Sequence, residues 1–245
     1  GVPVRVASKS VRVRGLVERA LGAGFAGVMA YSLREALWLA SCGVEDVLMG
    51  YPSVDRGALA ELAADPRARR AVTLMVDSAA QVKLLAAAVS GATAEAASDG
   101  EDAGQADAGS PGAGADLPPV RVCFDVDASL RLGPVHLGVR RSPMRTADDV
   151  ARLAALVART PGLRLRGLMT YEAQIAGLPD SSLPVRLVKK ASAREIERRR
   201  AAVLDAVTAV AGSLELVNSG GTGSIELSAT AAGVTEITAG SGLYV

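Results

Sequence analysis

Lys9 follows an apolar run, Val4 to Ser8, in a 245-residue chain that otherwise prefers arginine; Lys83, Lys189 and Lys190 are its only other lysines. A lysine desolvated at the mouth of a domain can lose its proton and attack a carbonyl carbon, forming a Schiff base. By position alone, a snorkelling surface lysine at a strand end is the commoner arrangement. A second candidate lies far along the chain, at Asn218-Ser219-Gly220-Gly221-Thr222-Gly223-Ser224, with Gly240-Ser241-Gly242 after it. Glycines let backbone N–H groups converge on an anion, and the hydroxyls of Ser219, Thr222 and Ser224 add donors. No Gly-Lys-Ser/Thr follows, so this is not a P-loop. A glycine-serine run taken alone is as often a plain turn.

The elements that must position these residues alternate regularly. Short β-rich runs fall at Val4–Ser8, Gly27–Tyr31, Asp46–Gly50, Ala71–Val76, Val120–Val126, Leu163–Met169, Leu214–Val217 and Thr235–Thr238, separated by helical periodicity. Asp77 or Ser78 and Thr146 suit helix N-caps, and Ser192-Ala193-Arg194-Glu195 reads as a capping box opening a helix. Eight strands with helical connections in a chain of this length predict an α/β fold, a closed (β/α)8 TIM barrel, with an open doubly wound sheet as the alternative. Barrel chemistry sits at strand C-termini, which here offer Lys9, Tyr31, Tyr51, Asp77, Asp125, Asp127, Tyr171, Glu172, Asn218, Gly240 and Ser241. Loops after strands seven and eight form the recurrent phosphate site of this architecture. A lysine at strand one facing such a cup suggests pyridoxal 5′-phosphate (PLP), with the phosphate anchored in the cup and the aldehyde reaching Lys9.

Composition excludes other classes. The chain is 49% hydrophobic and 3% aromatic with a net charge of +1, which predicts an aliphatic core and gives no argument for nucleic acid or an anionic membrane. The four tyrosines, Tyr31, Tyr51, Tyr171 and Tyr244, all fall at or just past strand ends, where a ring-binding site would need them. Cys42 and Cys123 lie far apart in apolar segments and read as reduced thiols of a cytoplasmic protein, not a zinc site or disulfide. Residues 90–119 hold Ala, Gly, Ser, Asp and Pro with six acids and no base, and read as a disordered insertion at the barrel's bottom. The chain starts within a strand and stops abruptly after Gly242, so it reads as one PLP-binding barrel over 1–245, trimmed at both ends.

Four segments carry a family resemblance: Arg5-Val6-Ala7-Ser8-Lys9-Ser10, Gly167-Leu168-Met169-Thr170-Tyr171-Glu172, Asn218 to Gly223, and Ala239-Gly240-Ser241-Gly242-Leu243-Tyr244. Together they resemble the alanine racemase N-terminal-domain superfamily, the fold-type III PLP enzymes. Within it, the D-threonine aldolase and D-serine dehydratase branch (amino acid deaminase/aldolase) is most similar. The resemblance implies that Lys9 holds PLP as a Schiff base and then acts as a base, and that Tyr171 lies against the pyridine ring. It assigns the phosphate to the Asn218–Gly223 loop (Asn218, Ser219, Gly220, Gly221, Thr222 and Gly223) with Gly240 and Ser241. Thr238 stands where alanine racemases carry an arginine facing the pyridine nitrogen, which points to a lyase acting on small D-amino acids. Arg140 or Arg141 corresponds to the arginine near the ring hydroxyl, and the lone histidine, His136, reads as a loop residue. Similar enzymes carry a C-terminal β-domain that supplies metal ligands, so a divalent metal is expected only in a full-length form, itself expected to be a homodimer. A non-catalytic PLP carrier and an amino acid racemase are the alternatives.

Overall fold

The computed structural model of the chain describes residues 1–102, 117–132, 135–172 and 183–244. Eight parallel strands close into a barrel: β1 (Val4–Ala7), β2 (Val28–Ala30), β3 (Val47–Pro52), β4 (Val72–Val76), β5 (Val120–Val126), β8 (Leu163–Thr170), β9 (Leu216–Ser219) and β10 (Glu236–Ala239). The remaining pair, β6 (Leu130–Leu132) and β7 (Val135–Leu137), is a small antiparallel hairpin outside the barrel. His136, expected in a loop, lies in this hairpin, paired with Arg131. Closure rules out the open-sheet alternative, because β1 pairs with both β2 and β10.

The helices are α1 (Ser8–Val11), α2 (Arg14–Gly22), α3 (Leu33–Ser41), α4 (Arg56–Ala64), α5 (Pro66–Ala71), α6 (Ala79–Asp102), α7 (Ala147–Ala158), α8 (Leu183–Ala211) and α9 (Ile225–Ala229). Their apolar faces bury an aliphatic layer against the strands; Ala36, Leu62, Leu85, Val150, Val203 and Val207 are almost or completely inaccessible. Several starts follow from side-chain chemistry. Ser32, Asp55 and Asp65 each accept a backbone N–H at a helix start, and Thr146 with Asp149 forms a full capping box for α7.

Two expectations need correction. Ser192 does not open a helix: α8 runs through it without a break, and Ser192 is buried mid-helix. A Ser-x-x-Glu pattern also fits the interior of a helix, where the two residues share a face. Likewise, residues 90–102, expected to be disordered, continue α6, because their alanines favour helix and Ala92 packs on the core. Residues 103–116 lie outside the described residues.

The lower barrel is filled by charge. Arg5, fully buried on β1, donates Nε and Nη2 to Glu236 on β10 at 2.7 and 2.8 Å and lies 3.1 Å from Asp46. Arg166 on β8 grips the same Asp46 at 2.8 and 2.7 Å and reaches Thr73 on β4 at 3.0 Å. The Arg5–Glu236 bonds tie the paired strands β1 and β10, whereas Arg166 reaches from β8 past β5 to Thr73 on β4 and to Asp46 at the start of β3, across the barrel interior. Burial opposes the ionisation of Asp46, but Arg166 and Arg5 hold its carboxyl at about 2 against an ordinary 3.8.

Candidate active site

Above this floor, at the C-terminal ends of the strands, lies a cavity of about 130 Å³. Lys9, Tyr31, Tyr51, Arg141, Tyr171 and Thr238 bring side chains to it, and the two glycine loops complete its wall. Lys9 belongs to α1, the single turn after β1, and not to the strand itself. It is also exposed, so the expected desolvation is not found. The turn ends at Arg12, held in the left-handed region at φ 50°, with its N–H bonded to the Ser8 carbonyl. The Lys9 ammonium donates to the Tyr51 hydroxyl at 3.2 Å.

Of the two candidate arginines, Arg141 faces the cavity while Arg140 is exposed away from it. Arg141 Nε donates to Asp125 Oδ2 at 3.0 Å, and Nη2 donates to the Gly50 carbonyl at 2.5 Å. Its guanidinium carbon lies 4.8 Å from the centre of the Tyr51 ring and 5.6 Å from that of Tyr171. Stacking of this kind, with a carboxylate behind, fixes a planar cation far better than a lysine could be fixed. Burial raises the carboxyl of Asp125 despite Arg141, and burial likewise raises nearby Asp77. Among the described residues, the buried Asp125 Oδ1 has no hydrogen-bond partner. Raised acids beside a fixed cation in a cleft are typical of sites that do chemistry.

The glycine loops face Lys9 and are held from behind. Gly220 takes φ 82°, which turns the chain after β9. A Cβ at Gly240 would meet the Ala7 carbonyl at 2.8 Å and Ser10 Cβ at 3.0 Å, so only glycine lets the second loop press against the Lys9 turn. Thr222 clips the loops together, accepting from Ser241 Oγ at 2.9 Å and from the Gly242 N–H at 3.2 Å. Asn218, Gly220, Gly221, Thr222, Gly240 and Ser241 line the cavity. Ser219 and Gly223 do not: the buried Ser219 hydroxyl turns inward to Thr170, Glu172 and Arg200. Thr238 lines the wall and shares hydrogen bonds with Asn218, whose amide also donates to Glu236 at 2.7 Å. Three of the four tyrosines reach the cavity; Tyr244 instead donates to the Val11 carbonyl at 2.8 Å.

Glu172 was noted only as a strand-end residue, yet it organises the loop. Its buried carboxylate accepts from Ser219 Oγ, from the Gly220 N–H at 3.2 Å and from Ser228 Oγ at 2.8 Å. Arg141 is expected at the ring from the resemblance, but its anchoring by Asp125 and its stacking on Tyr51 are not, although Asp125 and Tyr51 both stand at strand ends.

No protein-family model matches the sequence, and no curated protein matches it. Solved structures do match. D-threonine aldolase from Filomicrobium marinum superposes with a TM-score of 0.75 at 24% identity, over 98% of this chain and 55% of that one. D-threo-3-hydroxyaspartate dehydratase from Delftia sp. HT23 gives 0.63 at 23% identity, over 98% and 53%. Alanine racemase from Bacillus anthracis gives 0.62 at 15%, over 98% and 50%. These likenesses show the fold, a closed α/β barrel shared with the aldolase, the dehydratase and the racemase. This chain spans about half the length of the structures it matches. Among its described residues no cluster of three His, Cys, Asp or Glu gathers as a metal site, and no helix is long and apolar enough to cross a membrane.

Proposed function

We propose that the chain is the cofactor-binding barrel of a PLP-dependent lyase that acts on D-β-hydroxy amino acids, of the D-threonine aldolase or D-serine dehydratase kind. The observation that carries this reading is that Lys9, Arg141, Tyr171 and both glycine loops face one cavity, with Gly240 setting the second loop against the Lys9 turn. The residues fit the group. Lys9 offers an amine to an aldehyde, Gly221, Thr222, Gly240 and Ser241 offer a glycine cradle to a phosphate, and Arg141 with Tyr171 offers a cation and a ring face to a pyridine. When bound, PLP supplies an electron sink that stabilises negative charge on the α-carbon of an amino acid. Lys9 would hold the aldehyde carbon of the group and would take or return a proton at the α-carbon. Arg141, anchored by Asp125 and the Gly50 carbonyl, would present a fixed cation to the ring. Thr238, a neutral hydroxyl hydrogen-bonded to Asn218, stands where the resemblance places the racemase arginine, which supports lyase over racemase chemistry.

The test is spectroscopic and chemical. Protein loaded with PLP should absorb in the visible, lose that band on borohydride reduction, and carry the label on the Lys9 peptide. A Lys9→Ala variant that kept both cofactor and band would falsify the reading. Full-length protein given D-threonine should release an aldehyde and glycine; given D-serine, it should release a keto acid and ammonia. Cofactor capture with neither product would make the protein a carrier.

A further inference from the structure

Lys9 reaches the cavity on an exposed, flexible four-carbon stem from a single helical turn, so the backbone of that turn does not by itself fix where the amine points. What aims it is Tyr51. The amine donates to the phenol at 3.2 Å and lies 5.6 Å from the ring centre. Among the described residues it makes no ion pair with a carboxylate. That difference matters, because a carboxylate only accepts and holds an amine as ammonium. A phenol accepts from an ammonium and donates to a free amine, so its contact survives either protonation state. Tyr51 is in turn held by Arg141, 4.8 Å from its ring centre and tied to Asp125 and the Gly50 carbonyl. Tyr31, with the Arg12 guanidinium 5.2 Å from its ring centre, Tyr171, and Asp77 beyond Arg141 complete the charged and titratable surroundings.

We propose that Tyr51 is a positioning residue that keeps the Lys9 amine aimed into the cavity whether or not the amine carries its proton. The proposal rests on the reading of Lys9 as the aldehyde-capturing residue, and a preformed approach geometry is what speeds such a capture. Tyr51→Phe removes the hydroxyl and leaves the ring against which Arg141 stacks. Tyr51 is 40% exposed, so the variant has little cause to misfold.

Two measurements test the proposal. In cofactor-free protein, lysines are dimethylated with ¹³C-formaldehyde and a borane, and the Lys9 methyl resonance is assigned by its loss in Lys9→Arg. In the wild type it should stand apart from the other lysines, and in Tyr51→Phe it should move toward them. In the second, PLP is added and the product trapped on Lys9 with borohydride is counted by peptide mass over time. Capture should be about tenfold slower in Tyr51→Phe, the worth of one neutral hydrogen bond. A wild-type Lys9 resonance that coincides with the other lysines, or equal capture rates, overturns the proposal. A displaced resonance without any PLP capture leaves Tyr51 as the positioner of Lys9 and removes the PLP reading instead.

Discussion

Replacing Asp46 by Asn tests whether the charged floor holds the barrel together. In the folded chain Asp46 ionises at about 2 against an ordinary 3.8, because hydrogen bonds from Arg166 and the charge of Arg5 outweigh burial. At about 1.4 kcal/mol for each pH unit, that gap gives the native state about 2.5 kcal/mol at most. The Asp46 side chain is only 26% exposed, so solvent screens little of this. A carboxyl whose folded value is depressed stabilises fully above its unfolded value and loses the effect as pH falls through the folded one. Asp46→Asn should therefore unfold at lower urea than wild type at neutral pH, by about 2 kcal/mol, and the difference should shrink as pH drops from 3.8 toward about 2. Arg5 keeps Glu236 and Arg166 keeps Thr73, which limits the loss. A variant within about 0.5 kcal/mol of wild type at neutral pH, or a gap indifferent to pH, would refute the assignment of this network as a stabilising one.

Other substitutions carry different signs. Asp125→Asn should match or exceed wild type in urea resistance at neutral pH, because a carboxyl raised by burial costs the folded state once it ionises; the same variant should slow PLP capture by freeing Arg141. Gly240→Ala should lose capture together with about 1–3 kcal/mol of stability, since the new methyl presses on the Ala7 carbonyl; normal PLP capture would show that the Lys9 turn can shift unharmed. Glu172→Gln points an amide group at donors and should raise hydrogen exchange at the Gly220 N–H, while exchange in the β4 core stays as it was.

Much of this was legible because barrels announce themselves locally. Each strand is a short β-rich run, and each cap uses side chains within four residues, so Thr146 and the eight strands could be read from neighbours alone. The glycine loops could be placed because their strands could be counted. What stayed hidden spans long separations. The bond between Arg5 and Glu236 crosses 231 positions, that between Arg166 and Asp46 crosses 120, and no local pattern announces either. The Ser192 misreading shows the converse limit: a correct local motif was overridden by a helix that continues through it. Ser219 shows a subtler limit, since neighbours in a loop can face opposite ways: its hydroxyl turns to the wall while Gly220 lines the cavity.

Arg12 has a consequence for how this sequence can drift. A non-glycine residue held at φ 50° carries backbone strain that glycine there would relieve, so selection for stability alone pulls the position toward glycine. Yet Arg12 also donates its Nε to the Lys9 carbonyl at 3.1 Å and reaches over Tyr31. Glycine would quiet the strain and untie the turn on which Lys9 rides. The position therefore sets backbone strain against the hold on the Lys9 turn.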